Sequence, residues 1–153
     1  MSRAFVKETE DKLEELPDRQ ISGHRNVVTP EGLAAIEMAL ERFERAYQDA
    51  LSKADAHASA VAMRELRYWR ARRASAEVIR PPHEPGMVSF GTAVTLRRQD
   101  GREQTFRIVG EDEADPSNGT VSYVSPIARA VKTRGVGDLV EIAGRKAEIL
   151  DIH

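Results

Sequence analysis

The sequence predicts an α+β protein, with an antiparallel helical hairpin in its first half and a small antiparallel β domain with one short helix in its second half. Apolar residues recur at alternating spacings of three and four between residues 33 and 54, which is the period of a packed helical seam. Three prolines between residues 81 and 85 end this pattern. Beyond them, apolar and polar residues alternate with a period of two, which is typical of strands.

Composition excludes several classes of protein. The chain has 153 residues, of which 31% are charged and only 5% are aromatic, and it contains no cysteine. The lack of cysteine excludes a disulfide scaffold, Cys-ligated zinc, an iron–sulfur cluster and thiol chemistry. No apolar run approaches the roughly 20 residues needed to span a bilayer. A formal net charge of −2 gives no overall attraction to nucleic acid. We therefore expect a cytoplasmic protein with no membrane partner.

The first 27 residues are polar and aperiodic, so we expect a flexible N-terminal arm. One or two helical turns are possible around Glu8 to Leu16. This arm is either a disordered extension or a partner-binding segment, and the sequence leaves both interpretations open.

The start of each helix is predicted by its capping residues. Thr29 is a favourable N-cap, Pro30 suits the first helical position because its missing N–H is not needed there, and Glu31 complements the positive end of the helix. Asp55 is a second candidate cap, for a helix that runs to about Val78-Ile79. The sequence therefore predicts two helices separated by a short polar turn.

Two narrow apolar stripes most simply pack against each other, so we expect residues 28–80 to form the hairpin. The alternative is one long helix that dimerises. Small residues between positions 54 and 60 weaken the seam there and disfavour that alternative.

The second half is predicted to begin after a proline linker at residues 81–86 and to span residues 87–153. Gln99-Asp100-Gly101 is a hairpin-turn signal, and Ser125 followed by Pro126 predicts the start of a short helix. The predicted strands cover residues 88–90, 93–96, 104–109, 121–124, 139–142 and 147–152.

Residues that would support metal or nucleophile chemistry are scattered. The four histidines, His24, His57, His83 and His153, contain no pair four residues apart, and no glycine-rich phosphate-binding run exists. The acidic segment Glu111–Asp115 does not match a calcium loop. We expect no catalytic residue, no metal, no cofactor and no small-molecule substrate.

Five arginines fall within ten residues of the second predicted helix. They form a basic stripe, whereas the first helix is acidic by comparison. The stripe either pairs with that acidic helix or meets RNA, DNA or an acidic protein channel, where binding would weaken with salt. Its members are Arg64, Arg67, Arg70, Arg72 and Arg73.

Four segments of the second half, in order and spacing, resemble the C-terminal domain of the GreA/GreB transcript-cleavage factors. The upstream pattern, from Val28-Thr29-Pro30-Glu31-Gly32-Leu33 to Val78-Ile79, is similar to the N-terminal coiled coil of that family. The resemblance covers about residues 27 to 152. The four segments are Phe90–Thr95, Phe106–Asp115, Ser125–Ala130 and Val136–Asp138.

The resemblance implies that the globular domain is FKBP-like and docks at the rim of the secondary channel of bacterial RNA polymerase, while the coiled coil reaches down the channel. Contact with RNA or DNA would then occur only through the polymerase complex. It also favours a docking role for the acidic segment, which taken alone is more simply a solvated loop. The implied polymerase-binding residues are Glu111, Asp112, Glu113, Asp115, Ser125, Pro126, Ile127, Ala128 and Arg129.

In the family, two carboxylates at the coiled-coil tip help to hold a second Mg²⁺ for RNA hydrolysis, and here the sequence departs from the pattern. The tip offers Asp49, Lys53, Asp55 and His57, without an Asp-x-x-Glu pair. The hairpin is also shorter by about 10–15 Å, or two to three turns per helix. We therefore predict a polymerase-binding regulator with weak or no cleavage-stimulating activity, which is not itself an enzyme.

Two alternatives stay open. The chain is a true cleavage factor if Asp49 or Asp55 supports the hydrolysis with the helices rearranged. The FKBP-like resemblance also allows a prolyl isomerase, although only Phe90, Phe106 and Tyr123 are present to build an aromatic proline pocket.

Overall fold

Two long helices form the first half of the structure, a computed structural model that describes residues 16–153. Helix α1 spans Pro30–Ser52 and helix α2 spans Ala56–Ser75. The helices pack side by side, and their ion pairs join Arg73 to Glu37 and Arg70 to Glu44, each at 3.2 Å. Ile36 and Ala50 of the predicted seam are at most 2% exposed, and Ala62 and Leu66 of α2 are at most 3% exposed, whereas Ala54 at the end of the predicted seam is exposed.

Both predicted helix starts are confirmed. The Thr29 hydroxyl accepts a hydrogen bond from the Gly32 N–H at 3.0 Å, and Pro30 is the first residue of α1. The Asp55 carboxylate accepts one from the Ala58 N–H at 2.9 Å and caps α2. Each cap satisfies a backbone donor that has no partner inside its helix.

The prediction that the second helix reaches Val78-Ile79 is wrong, because α2 ends at Ser75. Strand β1 (Val27–Val28) and strand β2 (Glu77–Val78) pair in parallel instead. The Ile79 N–H extends this pairing by donating to the Val28 carbonyl at 2.9 Å. Adjacent β-branched residues favour this extended backbone over a final helical turn.

The segment before β1 lies against α2. Arg19 forms an ion pair with Glu65 at 2.7 Å and stacks on the Tyr68 ring, 3.7 Å from its centroid. Asp18 pairs with Arg67 at 2.5 Å. From Asp18 onward, the predicted flexible arm is therefore a segment attached to the hairpin. Residues 1–15, with all but the last residue of the predicted turn around Glu8 to Leu16, lie outside the described residues.

The second half is built on a five-stranded sheet. Its strands are β3 (Ala93–Arg98), β4 (Glu103–Val109), β5 (Thr120–Ser122), β6 (Leu139–Ile142) and β7 (Arg145–Ile152). Their order across the sheet is β5-β4-β3-β7-β6. Neighbouring strands are antiparallel except β4 and β5, which are parallel. The prediction of a purely antiparallel sheet is therefore wrong at β5, because the long acidic segment carries the chain back to the start of a parallel neighbour.

Two further strand predictions need correction. Residues 88–90 are not a strand, because Val88 makes a single pair of backbone hydrogen bonds, with Arg134 and Thr133, rather than a ladder. The strand predicted at 121–124 lies at residues 120–122, and the chain turns at Tyr123 to enter the short helix.

That short helix, α3 (Pro126–Val131), is capped by Ser125 as predicted. It packs on one face of the sheet and contributes Ala128 and Val131 to the globular core. Phe106, Leu96 and Ile149 fill the centre and are at most 2% exposed. Among residues 16–153, no helix is long and apolar enough to cross a membrane.

Candidate protein-interaction site

The hairpin tip, residues 49–57, carries two carboxylates that are both engaged. Asp49 forms an ion pair with Lys53 at 2.9 Å, and Asp55 caps α2 through the Ala58 N–H. Of the predicted tip residues, Asp49 lies in the last turn of α1, Lys53 follows α1, Asp55 is the cap of α2 and His57 lies in the first turn of α2. In the described part of the chain, no group of three or more histidine, aspartate or glutamate side chains is placed to hold a metal ion.

The acidic loop, residues 111–115, connects β4 to a short 3-10 helix and lies against the base of the hairpin. Glu113 accepts hydrogen bonds from three donors: the Thr29 hydroxyl, the Thr29 N–H at 3.1 Å and the Gly110 N–H at 3.2 Å. Thr29 is also the cap of α1. One carboxylate therefore ties the start of α1 to the end of β4.

The neighbouring carboxylate holds the end of α2. Asp112 accepts hydrogen bonds from the Tyr68 hydroxyl and from Arg72 Nε, the latter at 2.5 Å. The Arg72 guanidinium also donates to Asn26 Oδ1 at 2.7 Å, and Asn26 returns a bond to the Arg72 carbonyl at 2.7 Å. The Arg72 side chain is 3% exposed and that of Asp112 is 10% exposed. A buried cation is stabilised only with such partners, so this pair is structural.

Two glycines allow the loop and the helix to approach this closely. A Cβ at Gly32, the third residue of α1, would overlap the Glu113 carboxyl group. A Cβ at Gly110 would overlap the Val27 carbonyl oxygen. Close packing of backbone against the facing chain at both positions therefore requires glycine.

Two further contacts bind the globular part to the segment before β1. The Ser22 hydroxyl donates to Glu111 at 3.0 Å. The Tyr123 hydroxyl donates to the Arg25 carbonyl at 2.6 Å. We call these contacts, made by the acidic loop and Tyr123 with residues 22–32, Tyr68 and Arg72, the joint between the hairpin and the globular part. The side-chain contacts across it described here are hydrogen bonds between polar groups.

Asp115 has a different, local role. Its carboxylate accepts hydrogen bonds from the Ser117 hydroxyl at 2.5 Å and from the Asn118 amide at 2.6 Å. These bonds, led by that from the Ser117 hydroxyl, hold the pKa of the Asp115 carboxyl below its ordinary value. Asp115 therefore holds the end of the acidic loop in place, and its bonds to Ser117 and Asn118 do not reach the hairpin.

The basic stripe is dispersed among separate partners. Arg70 and Arg73 pair with α1, as the pairing interpretation requires, but Arg72 pairs with the acidic loop and Arg67 with Asp18. Arg64 lies 4.0 Å from Glu65. Each of the five guanidinium groups has an acidic neighbour, which favours structural pairing over a free surface for nucleic acid.

The other predicted contact segment, Ser125–Arg129, is partly accessible. Pro126 and Arg129 are exposed, and Ile127 is half-buried against the core. Ala128 is 2% exposed and belongs to the core, so its side chain cannot meet a partner while the domain is folded.

The contact between Tyr68 and Asp112 predicts that Tyr68 loses its proton at a higher pH than an ordinary tyrosine. Partial burial, followed by the hydrogen bond to Asp112, raises the pKa of Tyr68 from its ordinary 10.0 to about 12. In the unfolded chain, Tyr68 loses its proton at a lower pH than in the folded protein. The stabilisation of the fold by protonated Tyr68 is therefore complete below pH 10 and is lost as the pH rises towards about 12. In an ultraviolet titration, the last tyrosine step should therefore lie near pH 12 and disappear in Tyr68→Phe. A last step that persists in the variant would contradict this assignment.

The second half of the chain matches the model of a known protein family. The family model described as "Transcription elongation factor, GreA/GreB, C-term" matches residues 82–153. The transcription elongation factor GreA of Paracoccus denitrificans is 33% identical over 165 aligned positions, which cover 100% of this chain and 96% of that protein. The chain belongs to the GreA/GreB family.

Two further proteins are similar to this GreA/GreB family member over most of their length. The transcription elongation factor GreA of Ruegeria pomeroyi is 34% identical over 149 positions, covering 82% of this chain and 96% of that protein. Among solved structures, GreA factor homolog 1 (Gfh1) of Thermus thermophilus is similar at 18% identity and a TM-score of 0.41, covering 83% of this chain and 97% of that one.

Two residues of the joint in this GreA/GreB family member could not be identified from the sequence, and a third could. Asn26 and Tyr68 carry no local signal, because their partners are more than 40 residues away. Gly32 does carry one, since glycine is unfavourable inside a helix and stands here in the first turn of α1. An unfavourable residue in a well-capped helix indicates a close neighbour.

Proposed function

We propose that this protein regulates transcription elongation by binding bacterial RNA polymerase, and that it is not itself an enzyme. Membership of the GreA/GreB family supports the polymerase as partner. In this proposal, residues 87–153 form an FKBP-like domain that docks at the rim of the secondary channel. Residues 28–80 form an antiparallel coiled-coil hairpin that enters the channel.

The state of the tip carboxylates supports weak or absent cleavage stimulation. Hydrolysis of RNA by two metal ions needs anionic oxygens next to both metals. Asp49 forms an ion pair with Lys53, and Asp55 is used as a helix cap. Both carboxylates of residues 49–57 thus make contacts within the chain, and they do not form the Asp-x-x-Glu pair that the family uses beside the second Mg²⁺.

The reach of the hairpin supports the same conclusion. Helix α1 has 23 residues, which corresponds to about 34 Å at 1.5 Å per residue. The resemblance implies a family hairpin longer by about 10–15 Å. A carboxylate that falls short by about 10 Å cannot ligate Mg²⁺, whose bonds to oxygen are about 2.1 Å long.

We further propose that α3 and the residues next to it contact the polymerase. Pro126 and Arg129 are exposed, and Ile127 presents part of its surface beside them. Ser125 has a structural role as the cap of α3 in addition to any contact. Glu111 and Asp115 lie at the two ends of the acidic loop and complete the proposed surface. The carboxylates of Asp112 and Glu113 are bound within the chain.

Charge reversal at α3 tests the docking proposal. Arg129→Glu should weaken retention of purified core polymerase by about tenfold or more, as expected at an energetically important contact. Arg129 is exposed, so the fold should persist. Arg145→Glu, an exposed arginine at the start of β7, is the matched control and should bind normally. Equal binding by both variants would reject docking through α3.

Stalled elongation complexes with backtracked RNA test the catalytic part of the proposal. The protein should release little or no short 3′ RNA, and an excess should block a cleavage-competent factor by competition. Release of fragments that is lost in Asp55→Asn would instead support a true cleavage factor. Asparagine is also a good N-cap, so this variant removes the charge and keeps the helix start.

A further inference from the structure

The acidic loop makes contact with both helices at the base of the hairpin. Glu113 binds the cap residue of α1, and Asp112 binds Tyr68 and Arg72 in the second half of α2. The two carboxylates are consecutive in one loop of the globular part. They therefore fix two separate points of the hairpin relative to the sheet, which constrains its direction as well as its position.

We propose that the acidic loop is an orientation clamp, formed by Asp112, Glu113, Thr29, Tyr68 and Arg72, that sets the angle between hairpin and globular part. This inference rests on the proposed function, because the angle matters only when one part docks and the other enters the channel. Asp112 and Glu113 are then positioning residues for the tip, and the surface that meets the polymerase lies elsewhere.

The geometry gives the clamp a large effect at the tip. With α1 about 34 Å long, a swing of about 10° at the base displaces the tip by about 6 Å. A narrow channel would not accept such a displacement without loss of activity. Small changes at Glu113 are thus amplified along the hairpin.

The charge and burial of Arg72 support a rigid joint rather than a mobile one. The Arg72 side chain is 3% exposed, and Arg72 makes three hydrogen bonds with Asp112 and Asn26. Its guanidinium donates to the Asp112 carboxylate and to Asn26 Oδ1, and its carbonyl accepts a bond from the Asn26 amide N–H. Opening the joint would separate the Arg72 guanidinium and the Tyr68 hydroxyl from the Asp112 carboxylate, and Thr29 from the Glu113 carboxylate. The cost of separating such groups favours a single orientation.

The close approach at Gly32 and Gly110 adds a steric component. Both glycines face the other side of the joint with no room for a Cβ. The hydrogen bonds define the contact and the glycines let it close. Together they leave little space for the hairpin to tilt.

Distance measurements between spin labels test the clamp directly. The chain has no cysteine, so Ala56→Cys at the tip and Gln99→Cys at the β3–β4 turn give one labelled pair at exposed positions. The parent protein should show one narrow distance distribution. Glu113→Ala removes three hydrogen bonds and should broaden or shift it by several ångströms, up to the tip displacement of about 6 Å.

Asp112→Asn is the second variant, because it keeps the side-chain shape and removes the charge opposite Arg72. It should also broaden the distribution. Asp115→Asn is the matched control, since its carboxylate accepts hydrogen bonds from Ser117 and Asn118 in the 3-10 helix that follows the loop. An unchanged distribution in both Glu113→Ala and Asp112→Asn would overturn the clamp.

Polymerase assays separate positioning from docking. Glu113→Ala should bind core polymerase with a dissociation constant close to that of the parent, while its effect on elongation at saturation falls by about tenfold, as misplacement by ångströms produces. Loss of binding in Glu113→Ala, with the distance distribution unchanged, would make the loop a contact surface and overturn the inference. If the parent itself does not bind polymerase, the proposed function fails and the spin-label distances still decide whether the clamp exists.

Discussion

Replacement of Arg72 by alanine is expected to lower the free energy of unfolding by about 3–5 kcal/mol, the cost of breaking a buried ion pair from one side. The change leaves the Asp112 carboxylate, whose side chain is 10% exposed, without its cation, and Asn26 without a donor. Alanine favours helix at least as well as arginine, so the loss cannot come from α2 itself. Urea unfolding of the two proteins measures the difference.

The adjacent arginine provides the control. Arg73 pairs with Glu37, and the two side chains are 49% and 52% exposed. An exposed pair contributes about 0.2–1 kcal/mol, so Arg73→Ala should be nearly neutral. If the two variants lose equal stability, the buried network around Arg72 does not hold the joint.

A methyl group at Gly32 is expected to destabilise the protein by about 1–3 kcal/mol, as overpacking does in a filled interior. This reverses the ordinary sign, because Gly→Ala inside a helix usually stabilises by about 1 kcal/mol. The reversal follows from the overlap of the new Cβ with the Glu113 carboxyl group. Thermal or urea unfolding of Gly32→Ala gives the sign directly.

A double-mutant cycle isolates the cause. In the Glu113→Ala background the overlapping carboxyl group is absent, so Gly32→Ala should become neutral or stabilising. Gly86→Ala has open space around its new Cβ and serves as the control for the extra methyl group. A destabilisation of the same size in both backgrounds would show that Glu113 is not the obstacle.

Features predicted correctly from the sequence are those with local causes. The caps Thr29, Asp55 and Ser125 each bond to a backbone N–H three residues ahead, so their effect depends on a few adjacent residues. The helical seam and the turn at residues 99–101 are local in the same sense. Their periodicity and turn residues are visible without knowledge of the partner.

Features that were missed depend on distant partners. The sequence shows that Arg72 belongs to a basic stripe, but its partner Asp112 is 40 residues away and not on the acidic helix beside it. The parallel pairing of Glu77–Val78 with Val27–Val28 joins segments 50 residues apart. The acidic loop likewise reads as solvated or partner-binding, because its contacts with Thr29 and Tyr68 leave no trace in its own spacing.

The parallel pair β1–β2 has a consequence for how such proteins diverge. It brings the chain that enters α1 and the chain that leaves α2 to neighbouring positions, so the hairpin is attached to the rest of the fold at one site. Turns of helix can therefore be inserted or deleted in both arms together, beyond the base, without disturbing the joint or the sheet. Hairpin length is thus an independently variable trait, and a change in it can alter what the tip reaches while leaving the fold intact.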